Sequence, residues 1–333
     1  MRNRPHSFTG SKTGELTSKF NPPTSRLQNL ADGWLLACDI NQHSEKTIYT
    51  RRQLIRHLIW FLDKRRFEEC GVGELRAFLA YCTNGHREPG GRWGNPRCVK
   101  PAKPRTIHTY HGHLRTFFTW LVAEGELEAS PMERIPPPIF RSDQIEPFSR
   151  EQIEAMLRAC RSGRHAQRDE ALILFLLDTG VRVSELCAIN FEDIDLASYR
   201  VTVLGKGNKR RVLYFSKPTA KALWGYLRGN ERDDNDGPLF VSERGDRLTR
   251  SGVQQLIERL GKLAKIRQTR CSPHTFRHTF AVEFLRAGGN TFSLQTMLGH
   301  TNLAMTMRYV HLAQADIEGQ HRQYSPVERL RRR

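Results

Sequence analysis

Several things are missing from this sequence, and each absence removes a class of protein. No run of about 18 apolar residues occurs, so a membrane-spanning helix is not expected. The opening MRNRPHSFTGSKTG has no apolar stretch and does not read as a secretory signal. Cysteine is sparse: Cys38, Cys70, Cys82, Cys98, Cys160, Cys187 and Cys271 are scattered, odd in number and form no C-x-x-C. That argues against a zinc ribbon or a disulfide framework and for reduced thiols in a cytoplasm. His274 and His278 stand four apart like a zinc pair, but the glutamate of H-E-x-x-H and an evident third ligand are absent. GKGNK (205–209) lacks the spacing and the following Ser/Thr of a phosphate-cradling Walker loop. No carboxylate cluster suits a two-metal nuclease, so neither a metal nor any other cofactor is expected.

Negative charge is also short. Acids number 35 against 53 Lys and Arg, a net charge of +18, which points to a polyanion partner, most simply nucleic acid, and to a nucleoid-associated place in the cytoplasm. Apolar residues make up 38% of the 333, enough for packed cores in two ordinary domains.

Residues 1–25 are polar and basic and read as a flexible arm. Leu27, Leu30, Trp34, Leu35 and Cys38 trace an amphipathic helix. A second begins near Glu45 with Leu54, Leu58, Phe61 and Leu62 on one face, and a third covers Val72–Tyr81. Residues 83–104 are rich in Gly, Pro and Arg, have no period and read as a long loop, functional or mobile. A helix over Thr106–Glu124 follows, stopped by Gly125. The proline triplet Pro136–Pro138 opens a stiff spacer that runs to Pro147. Beyond it, Ser149 and Gln152 form a capping box for the next helix. Ala171–Leu177 is a buried helix stopped at Gly180, with Arg182 at the turn that follows. Arg200–Leu204 and Val212–Phe215 are β-rich and flank Gly205–Asn208, which predicts a hairpin with Lys206 near its tip.

The stretch Cys271–His311 carries the densest chemistry. Ser272 caps a helix that starts at Pro273. His274 and Arg277 are three apart and share a face, while Phe276, Phe280 and Phe284 form a separate apolar stripe. A His–Arg pair at a helix N-terminus favours a phosphate. Gly299-His300 ends a second helix, and a third bears Tyr309. One His–Arg pair, a further His and a Tyr on three linked elements suit phosphate-ester chemistry.

TGVRVSEL, LGKGNKRR, HTFRHTFA and LGHTNLAMTMRYVH together resemble the tyrosine recombinase (phage integrase) family, in the family's order and at familiar spacings. SEKTIYTRRQLIRHLIWFL and TIHTYHGHLRTFFTWLVAEG resemble helices of its core-binding domain. The resemblance implies a mainly α, α+β architecture: a helical, SAM-like core-binding bundle and a mainly helical catalytic domain with a small antiparallel sheet, closing on duplex DNA as a clamp. It divides the chain into an arm (1–25), a core-binding domain (26–135), a linker (136–147), a catalytic domain (148–320) and a basic tail (321–333). The short arm implies an Xer-like simple recombinase without a separate arm-site DNA-binding domain.

Residue by residue, the resemblance implies that Arg182 and Arg277 clamp a phosphate and that Lys206 is the general acid. It further implies that His274 holds or moves a proton near the phosphate, that His300 donates a hydrogen bond to it and that Tyr309 is the nucleophile. Glu185 is a supporting acid, and Lys209, Arg210 and Arg211 are candidates for DNA-backbone contacts. A lone Arg, Lys or Tyr is ordinarily a surface or core residue; the ordered set is what assigns these. Cations around Tyr309 are expected to favour its phenolate over the ordinary pKa of about 10. The implied reaction cuts and rejoins DNA through a 3′-phosphotyrosine without ATP or metal, with four protomers on two core sites and room for accessory DNA-bending factors. Integration or excision of a mobile element, chromosome or plasmid dimer resolution, a relaxing topoisomerase and an inactive DNA-binding relative remain open at this stage.

Overall fold

The computed structural model describes residues 21–86, 90–139, 146–205, 209–228, 237–313, 321 and 325–327. The chain forms two compact units, Met1–Asp143 and Gln144–Arg333.

In the first unit, α1 (Thr24–Ile40), α2 (Glu45–Arg65), α3 (Val72–Thr83) and α4 (Pro104–Ala123) surround one core. Apolar residues at helical spacing bring Leu27, Trp34, Leu58, Phe61, Phe78, Phe117 and Phe118 together, each essentially inaccessible. Ser44 caps α2 by accepting from the Thr47 amide, and Arg66 ends it in the left-handed region. The excursion between α3 and α4 departs from the expected structureless loop. Its described part contains a single 3-10 turn, Arg92–Gly94, held at its base by Arg92 N donating to Cys98 O (2.9 Å) and His86 N to Val99 O (2.8 Å). Trp93 pins it, stacked on His57 at 4.4 Å and edge-on to Trp60 at 6.0 Å. One partly buried indole replaces the periodic pattern that the sequence lacks. The start of the proline-rich segment is likewise fastened, with the buried His111 Nε2 donating to Ile135 O at 2.8 Å.

The second unit contains α5 (Arg150–Arg161), α6 (Ala166–Thr179) and the one-turn α7 (Val183–Leu186), then β1 (Ile194–Asp195), β2 (Arg200–Leu204) and β3 (Arg210–Tyr214). It continues with α8 (Lys217–Arg228), α9 (Arg250–Leu263), α10 (Pro273–Arg286), α11 (Thr291–Leu298) and α12 (Leu303–Ala313). The sheet is antiparallel in the order β1-β2-β3, and β1 is a short addition to the expected hairpin. Pairs from Arg200↔Tyr214 to Leu204↔Arg210 set the hairpin register, and Gly205 N donates to Lys209 O at 2.8 Å. Lys206 lies outside the described residues.

The Ser149–Gln152 capping box forms as its sequence spacing requires, and Ser272 accepts from the Thr275 amide at the start of α10. Phe175, Leu176, Val201, Leu213, Leu256 and Phe276 meet in the main core. Phe280, Leu285, Leu294 and Leu298 form a smaller one beneath α11 and α12. Helix α10 is therefore buried on most of its circumference, more than one apolar stripe requires. Among the described residues, no helix is long and apolar enough to cross a membrane.

Gly180 closes α6 in the left-handed region at φ +58°, and a Cβ there would collide with the Phe280 ring. Gly180→Ala is expected to destabilise this unit by roughly 1–3 kcal/mol through overpacking, measured by urea denaturation. An unchanged midpoint would mean that the ring is free to move away.

Candidate active site

Four elements deliver the site. Arg182 is the residue just before α7, where the chain leaves Gly180 and turns into the short helix. Glu185 follows three residues later, so its carboxylate folds back to accept from the Arg182 amide (Oε2, 3.0 Å) and from Arg182 Nη1 (Oε1, 2.9 Å). Helix α10 presents Arg277 one turn from its start. Helix α11 ends at Gly299, left-handed at φ +61°, and His300 occupies the turn into α12, which bears Tyr309.

The end of α11 organises these side chains. An α-helix leaves its last carbonyls without intrahelical partners, and its C-terminus carries partial negative charge. Three successive carbonyls here each accept from a different arginine. Arg211 Nε donates to Met297 O at 2.9 Å, Arg277 Nη2 to Leu298 O at 2.6 Å, and Arg182 Nη2 to Gly299 O at 3.0 Å. Gly299 also permits close approach, since a Cβ would stand 3.2 Å from the Arg211 guanidinium carbon.

Glu185 is the counter-charge. It is 5% exposed and takes a paired contact from Arg211, Nη1 to Oε1 at 2.9 Å and Nη2 to Oε2 at 2.8 Å. Burial alone would raise its pKa, but the hydrogen bonds and charge of Arg211 and Arg182 outweigh that and hold it below the usual carboxylate range. It is therefore ionised at neutral pH. Removing one partner from such a buried pair costs about 3–5 kcal/mol.

Arg211 thus differs from its expected role as a DNA-backbone contact. Its guanidinium faces inward, committed to Glu185 and Met297 O, because Arg211 alternates onto the same face of β3 as the buried Leu213. Lys209 and Arg210 are exposed beside it.

Arg277 is 5% exposed, and Nη1 donates to Gly180 O at 2.8 Å. Its Nη2 serves two acceptors, Leu298 O and His300 Nε2, the latter at 3.1 Å. Burial, followed by repulsion from Arg182, lowers its pKa to about 10, so it remains charged at neutral pH. Because a guanidinium only donates, His300 Nε2 must accept, and the imidazole proton sits on Nδ1, 3.0 Å from Thr306 Oγ1. Burial and the charges of Arg277, Arg182 and Arg211 lower the His300 pKa to about 4.

Tyr309 is half-buried between two imidazoles. His300 lies nearly parallel to its ring at 6.2 Å and 10°, and His278 is tilted at 5.2 Å. Contrary to the expectation of a favoured phenolate, its pKa is raised. Desolvation against the smaller core outweighs the pull of Arg277, Arg182 and Arg308.

The structure therefore brings Arg182, Glu185, Arg277, His300 and Tyr309 together. His274 stands exposed at the start of α10, three residues from Arg277 and on the same face. Three contributors were missed by sequence reasoning: the inward role of Arg211, the carbonyls of α11 and the buried Thr306. Thr306 was within reach, because it precedes Tyr309 by three residues on one helix.

A model of the phage integrase family matches residues 147–316. A tyrosine recombinase XerC from Vibrio cholerae is 30% identical over 212 residues, covering 63% of this chain and 68% of that protein. A tyrosine recombinase XerC from a Mycobacterium species is 29% identical over 276 residues, 77% of this chain and 91% of its own. In fold, the chain resembles the Tn1549 transposon integrase in complex with transposon right end DNA. That likeness has a TM-score of 0.68 at 19% identity over 88% of this chain and 99% of that one. It also resembles the XerH site-specific recombinase bound to a palindromic difH substrate, with a TM-score of 0.65 at 18% identity, covering 92% of this chain and 85% of that one.

The depressed His300 pKa has a checkable sign. The folded protein releases this proton near pH 4 and the unfolded chain near 6.5. Between those values the unfolded state binds more protons, so the His300 contribution to stability is complete above pH 6.5 and is lost as pH falls toward 4. By NMR titration, His300 is expected to stay neutral down to about pH 4 and to titrate higher in Arg277→Ala. A midpoint near 6.5 in the native protein would contradict the buried, arginine-facing ring.

Proposed function

This chain belongs to the phage integrase family, the tyrosine recombinases, and on that premise we propose that Tyr309 is the nucleophile with which it cuts DNA. It is a site-specific recombinase, an enzyme that cuts and rejoins DNA strands. The observation that carries the residue assignment is the convergence of two arginines on the α11 terminus beside the Tyr309 ring. Neither guanidinium is saturated by its protein partners: Arg182 is half-buried, and Arg277 retains its Nε–H and one Nη1 proton. Those donors suit the non-bridging oxygens of a phosphodiester.

The Tyr309 oxygen attacks phosphorus and its proton passes to a base, for which His274 is the candidate. The phosphorus–O5′ bond breaks, and the departing oxygen takes a proton from Lys206. A 3′-phosphotyrosine and a free 5′-hydroxyl result. The 5′-hydroxyl of a second strand then attacks the phosphotyrosine and releases Tyr309. Each step exchanges one phosphate ester for another, so the backbone is resealed without ATP. Negative charge develops on the non-bridging oxygens, where Arg182, Arg277 and a proton from His300 Nε2 stabilise it. The raised Tyr309 pKa fits an attack coupled to proton removal at the phosphate rather than a standing phenolate.

Exchange between two duplexes requires four strand cleavages, hence four protomers with one tyrosine each. Residues 26–135 are the proposed core-binding domain, 136–147 its linker to the catalytic domain 148–320, and 321–333 a basic tail. Lys209 and Arg210 are the exposed backbone-contact candidates of the hairpin. The pinned excursion after α3 and the basic arm favour integration or excision of a mobile element over dimer resolution.

Tyr309→Phe is expected to bind site DNA normally and to form no covalent adduct on a denaturing gel. An adduct with that variant would overturn the assignment. Lys206→Ala is expected to cleave ordinary DNA roughly 10²–10⁴-fold more slowly, the usual loss of a general acid. Sulfur in place of the bridging 5′ oxygen leaves unprotonated, so that substrate should rescue Lys206→Ala but neither Arg182→Ala nor Arg277→Ala. Equal rescue of all three would move the acid role elsewhere, with Lys209 the next residue to test.

A further inference from the structure

Thr306 is inaccessible to solvent, and its hydroxyl stands 3.0 Å from His300 Nδ1 on the side of the ring opposite Arg277. With these contacts the imidazole cannot help a phosphate. Its Nε2 lone pair is occupied by Arg277 Nη2, and its one proton, on Nδ1, is directed at Thr306. A phosphate clamped by Arg277 and Arg182 needs the reverse, a proton on Nε2. That tautomer has a bare Nδ1 held inside the protein, and an unpaired buried acceptor is costly. A threonine hydroxyl is the one kind of side chain of this size that either accepts from Nδ1–H or donates to a bare Nδ1 by rotating its proton. Valine has the same shape and does neither.

We propose, building on the assignment of His300 as a phosphate donor, that Thr306 is a positioning residue that lets His300 exchange tautomers when DNA enters the site. One proton leaves Nδ1 to water and one arrives at Nε2, with no net change in charge. Meanwhile Thr306 Oγ1 turns from acceptor to donor, and Arg277 Nη2 exchanges the imidazole for a phosphate oxygen. The His300 backbone is held on both sides: its N donates to Gln295 O at 3.1 Å, and its O accepts from Gln295 Nε2 at 3.2 Å. The ring has no need to swing, since the proton alone changes place.

Thr306→Val is expected to bind site DNA as the native protein does and to cleave about tenfold more slowly, the worth of one lost hydrogen bond. Thr306→Ser is expected to cleave within about threefold of native, since it keeps the hydroxyl. Nitrogen-15 NMR of His300 supplies a reading that packing alone would not move. In Tyr309→Phe on uncleaved site DNA, the ring should change from the Nδ1–H to the Nε2–H form, and in Tyr309→Phe/Thr306→Val it should not. Native-like cleavage by Thr306→Val, equal impairment of the serine and valine variants, or one tautomer in both states would each overturn the proposal. If Tyr309→Phe still forms an adduct, the broader site assignment fails instead, and the two failures are distinguishable.

Discussion

Everything in this site depends on holding like charges together without DNA. Two unit charges 4 Å apart repel by about 4 kcal/mol at an effective dielectric of 20, so three neighbouring guanidiniums need a fixed opposing field. The protein supplies it in two forms. The α11 terminus offers Met297 O, Leu298 O and Gly299 O in succession, and Glu185 offers one full charge from a nearly inaccessible position. Gly299 serves both, since its left-handed turn ends the helix and its missing Cβ leaves room for Arg211. The compensation is incomplete: burial is the largest cause of the lowered pKa values of Arg277 and His300, and the neighbouring arginines lower both further. That residual positive field is what an entering phosphodiester neutralises.

The same arrangement restrains the two groups that the proposed reaction would use. The Tyr309 hydroxyl is held in its neutral form by burial, and the His300 Nε2 lone pair faces a donor. Both are conditions that a bound phosphate would change. In the proposed reaction a phosphate would draw Arg277 Nη2 away from the imidazole and supply the negative charge that makes an imidazole proton useful. Coupling readiness to the substrate's own charge would spare the protein a standing phenolate in a field rich in cations.

Much of this was legible in the chain, and the failures have physical reasons. Local signals read correctly, because Ser149 with Gln152 and Ser272 before Pro273 act within one helical turn. The spacing of His274 and Arg277 placed them on one face, but it could not show that α10 is roofed, leaving one exposed and the other buried. In Lys209-Arg210-Arg211 the charges look equivalent. Strand alternation separates them, and Leu213, buried two residues on, marks the inward face that Arg211 shares. The Tyr309 pKa went the other way because counting cations in a sequence ignores desolvation, which dominates here. The excursion after α3 has no period because backbone hydrogen bonds and the Trp93 ring anchor it, not a repeating apolar face.

Arg211 also bears on the one proposed catalytic group outside the described residues. It sits on β3 beside Arg210, which pairs with Leu204 at the mouth of the hairpin. Its three donor nitrogens tie that strand to α7 through Glu185 and to α11 through Met297 O. The hairpin base is thereby fixed against the elements that carry Arg182 and Arg277. Lys206 follows Leu204 by two residues in the sequence, so the proposed acid would act from a hairpin whose base is held by the same buried carboxylate that holds the arginines. Glu185 need not touch DNA to matter: losing it would leave Arg182 held only through Gly299 O and Arg211 only through Met297 O, loosening the proposed clamp and the hairpin base together.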